Sequence, residues 1–178
     1  MQIFSLETIA ALNTFKLQGV SGFLGADETI NFMKNINKWI QIHDIGSLTQ
    51  WRKQRLPNKK PFNEPDDPRL KWLRDDFLPW LEEWKSQVPS ENFFTNETYE
   101  AIVLTTKSTL VKVPYLLSIG FTSVLTRRFT SDKIERLFSA LRQANGGNYN
   151  MDAKAALEAT NKVVSTGYTY ISIDCNVP

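Results

Sequence analysis

Residues Phe129–Gly147 read FTSDKIERLFSALRQANGG. Ile134, Leu137, Phe138 and Leu141 recur at three- and four-residue spacing, which gathers them on one side of a helix. Asp132, Glu135, Ser139 and Arg142 fall together on the opposite side. Ser131 offers its hydroxyl to the amides of the first turn, and Gly146-Gly147 stops the helix. The segment is an amphipathic helix with a carboxylate, Glu135, in its second turn.

The same pattern extends in both directions. Upstream, Thr95 caps a helix that runs through Ile102, Val103, Leu110, Val113, Leu116 and Leu117 toward Gly120. Phe94 and Tyr99 occupy the two positions of a hydrophobic staple, and Pro114 marks a kink. Pro68–Lys85 reads as a helix with Leu70, Leu73, Phe77, Leu81 and Trp84 on its apolar face, kinked at Pro79. Asp27 is the expected N-cap of a helix through about Ile42, with Phe32, Met33, Ile36, Trp39 and Ile40 in helical register and Gly46 as its stop. A first helix spans about Ser5 to Leu17. Between these, Ser47–Pro68 holds four prolines and the basic residues Arg52, Lys53, Arg55, Lys59 and Lys60, and reads as an irregular connection and a boundary between sub-regions. Downstream, a last helix covers about Met151 to Val164. The alternating tail Tyr168–Ile173 reads as a short strand. The expected fold class is mostly α.

Composition narrows function by exclusion. The chain has 178 residues, 42% hydrophobic, with 21 basic against 19 acidic side chains and a net charge of +2. That excludes a disordered chain and gives no general electrostatic drive toward nucleic acid. No apolar run is long enough to span a bilayer, and the N-terminus lacks the layout of a signal peptide, so the reading is of a soluble intracellular protein. One cysteine, Cys175, and one histidine, His43, exclude an internal disulfide and a multi-histidine zinc site. His43 reads as a polar residue complementing the dipole at a helix C-terminus.

Chemistry therefore rests on a few side chains. Glu135 has the hard oxygen donors that a divalent cation takes from protein, or it is an ordinary surface acid beside Ser139 and Arg142. Arg127 and Arg128 either contact a DNA backbone or pair with Asp132 or Glu135; Arg142 is a third candidate of that kind. Lys59-Lys60 and the Arg52–Arg55 cluster are phosphate-contact candidates or a solvated loop. Trp39, Trp80 and Trp84, at helical spacing, read as packing residues rather than base-stacking platforms.

The block Phe93–Asn150 resembles the C-terminal part of P-element-type DNA transposases, including those that carry an N-terminal THAP zinc finger. The resemblance lies in Phe94-Thr95 with Thr98-Tyr99, then Gly120-Phe121 and Val124-Leu125-Thr126-Arg127-Arg128-Phe129. It continues in Asp132-Lys133-Ile134-Glu135 with Phe138 and Arg142, and in Gly146-Gly147-Asn148. Gly25–Ile42 is similar to a further helix of that family, with Thr29, Phe32 and Asn37 in register.

The resemblance implies a helical, GTP-binding insertion domain interrupting a ribonuclease H-like catalytic domain. Residues 1–118 correspond to the later part of the former, 119–166 to the closing helices of the latter, and 167–178 to a tail. It implies magnesium-dependent cleavage and joining of DNA strands by two sheet aspartates and one helix glutamate, which falls on Glu135. The GTP contacts have no assigned positions here. Ile134 stands where the family has leucine, and Lys133 where a proline is usual. Both aspartates and the zinc finger belong upstream, so catalysis by this chain alone is not expected. The implied partners are DNA and the upstream half, and the implied location is the nucleus. A fragment of this kind exposes apolar surface, so self-association is also expected. The alternative is a transposon-derived helical module that has lost the chemistry and serves interaction or architecture.

Overall fold

The computed structural model describes residues 3–166, which are mostly helical and contain no sheet. The strand expected at Tyr168–Ile173 lies outside the described residues. The α-helices are α1 (Leu6–Leu17), α2 (Asp27–His43), α3 (Leu48–Gln54), α4 (Pro68–Trp72), α5 (Leu78–Gln87), α6 (Asn96–Ser118), α7 (Asp132–Ala144) and α8 (Ala153–Thr166). They fall into two compact units that divide between Phe129 and Thr130, inside the segment assigned by resemblance to a closing domain.

In the first unit, α1 is capped by Ser5, whose hydroxyl accepts from the amide of Thr8 at 3.2 Å. It packs on α2 through Ile9, Ile30 and Met33. Asp27 does not cap α2. Ala26 holds that place, and Asp27 is the first helical residue, its carboxylate paired with the ammonium of Lys16. A nearby cation has outcompeted the local amides.

Pro79, where a kink is expected, falls at the start of α5 just after a change of helical winding. A π-turn at Leu73–Phe77 joins α4 to α5, and the Leu78 amide bonds to the Leu73 carbonyl five residues back. The wider turn accommodates the missing proline N–H without ending the rod. Leu70, Leu73, Phe77 and Leu81 are buried along it.

Thr95 caps α6 as its position requires, accepting from the Thr98 amide at 3.3 Å. The ring that meets Tyr99 is Phe93, at 5.7 Å between centroids, while Phe94 turns onto Trp84 at 5.2 Å. The staple thus shifts by one residue, because Trp84 and Phe32 offer Phe94 a larger apolar surface. Trp39, Trp80 and Trp84 pack against the same core. The Trp39 indole donates to the fully buried Thr106 at 2.8 Å, which pins α2 to α6. Gly120 closes α6 with φ of 101°, its amide on Leu117 and that of Phe121 on Leu116, a double bond that only a left-handed residue allows.

The segment Ser47–Pro68 is no boundary. Phe62, fully buried, forms a two-bond antiparallel bridge with Val124, and Ile45 is buried beside it. Arg69 fastens the turn at residues 57–60. Its guanidinium donates to both oxygens of Asp67 and to the carbonyls of Asn58 and Lys60, and lies 3.9 Å from the Phe62 ring centroid. Burial raises the pKa of Asp67, but the Arg69 hydrogen bonds and charge outweigh it and hold the carboxyl below its usual range. Thr126 completes the closure: its hydroxyl donates to the Ile42 carbonyl at 2.6 Å and accepts from the Ile45 amide at 3.3 Å.

His43 is not a cation on the helix dipole. Its ring sits 4.4 Å from that of Trp39, Nδ1 lies 2.8 Å from the Trp39 carbonyl, and Nε2 is buried with no hydrogen-bond partner among the described residues. Burial lowers its pKa to about 4, and the Trp39 carbonyl offsets this only in part.

In the second unit α7 and α8 pack together, with Ala140, Leu141 and Ala159 buried between or beside them. Gly146 and Gly147, both at positive φ, end α7.

The closure of the first unit sets the cost of disturbing it. Thr126→Val leaves a carbonyl and an amide unpaired in the core, and should cost about 2–3 kcal/mol in urea unfolding, with Thr126→Ser recovering most of it. The folded state resists protonation of His43, so stability is full above about pH 6.5 and falls as pH drops toward 4, by about 3 kcal/mol. His43→Phe should flatten that decline when unfolding is measured at pH 7, 5.5 and 4.

Candidate functional site

Glu135 is exposed on α7, and its Oε1 accepts from the Ser131 hydroxyl one turn earlier. This reverses the expected role of Ser131. That hydroxyl caps no amide; the Ser131 backbone carbonyl receives the amides of Ile134 and Glu135, at 2.8 and 2.9 Å. With Ser131 itself in the α-region (φ −73°, ψ −4°), its side chain is aimed along the helix at the carboxylate rather than back at the N-terminal amides. Asp132 is half-buried one turn before Glu135. Arg142 is half-buried two turns after it, its guanidinium 5.5 Å from the Tyr149 ring.

The apolar side of α7 is divided. Ala140 and Leu141 are buried, Leu137 is half-buried, yet Ile134 and Phe138 remain 58% and 51% exposed. Phe138 lies three residues from Glu135, so the carboxylate borders the uncovered apolar strip on the helix surface. Periodicity marked Ile134, Leu137, Phe138 and Leu141 as one face; it carried no sign of which part α8 would cover.

Arg127 and Arg128 belong to the other unit. Arg127 pairs with Asp44 at 3.5 Å, its backbone amide donates to the Ile45 carbonyl at 3.2 Å, and its side chain passes close to Gly46. Arg128 is exposed. Lys59 is also engaged by Asp44, at 2.9 Å. Arg55 turns back through a left-handed φ of 54° so that its Nε donates to the Arg52 carbonyl. The basic residues of this unit are thus partly neutralised by Asp44, which the sequence pattern did not associate with them because they lie fifteen or more residues apart along the chain.

Open cavities mark the first unit, and the residues around two of them bear on ligand binding. One, of about 430 Å³, is floored by Phe32, Trp80 and Trp84 and rimmed by Glu28, Asn31 and Gln87. The other, of about 390 Å³, is lined by Lys38, Lys60, Asp67 and Arg69 among others. Arg69 is committed there to Asp67 and to two carbonyls, and the Lys38 ammonium sits 4.0 Å from the Trp72 ring centroid.

Among the described residues no three His, Cys, Asp or Glu side chains converge in a way that would hold a metal ion. Glu135 with Asp132 does not make a magnesium site by itself. No helix among the described residues is long and apolar enough to cross a membrane. No family model, curated protein or solved structure matches the chain.

The divided face makes a checkable contrast. Phe138→Ser should cost the isolated chain only about 1 kcal/mol, since half of the ring is in water already. Leu141→Ala should cost about 2–3 kcal/mol by loss of buried contacts. Circular dichroism during urea unfolding reads both.

Proposed function

We propose that this chain is the C-terminal part of a P-element-type DNA transposase, in which Glu135 is the helix-borne member of a carboxylate set completed by two aspartates upstream. One observation supports the reading best. Glu135 stands exposed at the border of the uncovered strip formed by Ile134 and Phe138. A helix that closes a layered fold needs both features side by side: an apolar strip to seat on a sheet, and a polar group at its edge to reach what the sheet holds.

The physical demands of the reaction agree with that placement. Phosphoryl transfer through paired magnesium ions needs carboxylates from several elements to converge, since the ions stabilise attacking and leaving oxygens together. Magnesium takes one or two protein carboxylates and keeps waters, so a single glutamate on this helix is an adequate share. Ser131 holds the Glu135 carboxylate by a hydrogen bond and so fixes its rotamer before any cation arrives. Lys133 and Ile134, which depart from the family pattern, precede Glu135 without replacing it. DNA, GTP and a nuclear location are properties of the parent on this reading. Of the candidates for DNA-backbone contact, Arg128 is exposed on the first unit, Arg142 is carried by α7 of the second, and Arg127 is drawn toward Asp44.

The alternative is a helical interaction module without catalysis. It draws support from the first unit, where Phe62, Phe77, Leu73, Leu81 and Val113 are fully buried in one core.

The test joins this chain to the upstream half of a P-element-type transposase in one polypeptide and measures magnesium-dependent cleavage of transposon-end DNA. Glu135→Ala should lower the rate by roughly a hundredfold or more, since even outer-shell partners of a metal cost about 10–100-fold. Ser131→Ala should lower it less. Undiminished cleavage by the Glu135→Ala form would overturn the assignment.

A further inference from the structure

Helix α6 carries two apolar faces. Thr106, Thr109 and Val113 are buried in the first unit, with Ile102, Leu110, Leu116 and Leu117 packed beside them. On the other side Leu104, Val111 and Tyr115 stand 68%, 70% and 59% exposed, spaced by seven and four residues and therefore in one line. An ordinary surface helix is polar there.

The charges along this line have an order. Glu97 and Glu100 precede Leu104, seven and four residues back; Lys107 and Lys112 follow it, three and eight residues on. All four are exposed, and among the described residues Glu97, Glu100 and Lys107 make no ion pair. Lys112 rests 5.4 Å from the Phe129 ring, a contact that an exposed lysine leaves by rotating its stem. By the helical repeat, Glu97 and Lys112 fall to one side of the Leu104 line, and Glu100 and Lys107 to the other.

We propose that two copies of this chain pair through α6 in antiparallel orientation, with Leu104 near the two-fold axis. An antiparallel two-fold brings together residues equally far before and after its centre, and keeps each on its own side of the seam. Glu97 then meets Lys112 of the second copy, and Glu100 meets Lys107, each twice over. A parallel pair would set acid on acid and base on base. A wholly acidic or wholly basic partner would meet as much repulsion as attraction, so the charge order selects a second copy of the same helix. The surface is separate from the Glu135 helix and does not depend on the role given to that residue.

Sedimentation equilibrium of the full chain at tens of micromolar tests the pairing. The expected result is a dimer, weakened by salt because its seam charges are solvent-facing. Lys107→Glu with Lys112→Glu should raise the dissociation constant by roughly one to two orders of magnitude, since four attractive contacts become repulsive. Adding Glu97→Lys and Glu100→Lys to that variant should restore the dimer, a rescue available only to the antiparallel register. Should the fourfold variant lose its helical circular dichroism, Leu104→Cys in a Cys175→Ser background gives the second measurement. The thiol so introduced is exposed and lies on the two-fold, and it should form an interchain disulfide under mild oxidation. A monomer at these concentrations, a dimer indifferent to the charge reversal, or a folded fourfold variant that stays monomeric would each overturn the proposal.

Discussion

The hydroxyl of Thr126 holds three parts of the first unit in one place. It donates to the carbonyl of Ile42, at the end of α2, and accepts from the amide of Ile45, just beyond that end. A helix C-terminus leaves carbonyls without partners, and here the partner comes from more than eighty residues further along the chain. Two residues before Thr126, Val124 exchanges both backbone bonds with Phe62. The end of α2, the proline-rich segment and the stretch after α6 are thereby closed on one another, and Ile42, Ile45, Phe62 and Val124 are buried around the junction. Apolar burial supplies most of the driving force, but it is non-directional; the threonine and the bridge decide which segments meet.

That closure explains why a segment with four prolines behaves as core. After α3 its backbone forms only short turns, and its remaining polar groups are met by Arg69 and by Val124. Arg69 is itself tolerable in a buried place because every arm of its guanidinium has an acceptor and its face lies on Phe62. Removing it would strand Asp67 as an unpaired buried charge as well as two carbonyls, which is why the pair must be kept or replaced together.

What was legible in the sequence follows from the range of the forces involved. Helix positions came through because apolar periodicity is local: α2, α6 and α7 lie close to where the spacing of Phe32 to Ile40, Ile102 to Leu117 and Ile134 to Leu141 puts them. Caps were legible where nothing competed, as at Thr95, and not where a charge did. Lys16 drew Asp27 away from its amides, and Glu135 drew the Ser131 hydroxyl. The role of Ser47–Pro68 was illegible because its partners lie far off in the chain, and prolines signal irregular backbone without saying whether it is buried. His43 misled for the same reason: a helix-end position suggested a charge, while the apolar wall of Trp39 that removes it is a matter of packing. At the candidate site, the place of Glu135 on its helix was legible, but its bordering of an uncovered strip was not. That depends on how much of α7 is taken by α8.

The two uncovered strips differ in a way that bears on what each is for. On α7, Ile134 and Phe138 adjoin a carboxylate already held by a hydrogen bond. Such a strip is suited to an apolar surface whose edge carries groups able to meet a carboxylate. On α6, Leu104, Val111 and Tyr115 run between charges that change sign along the helix. Apolar area alone would let either strip stick to anything. The change of sign from Glu97 and Glu100 to Lys107 and Lys112 favours for α6 a partner with the reverse order, which an antiparallel copy of itself provides. A single acid on α7 restricts far less through attraction, and the selectivity of that strip has to come from the shape of what covers it.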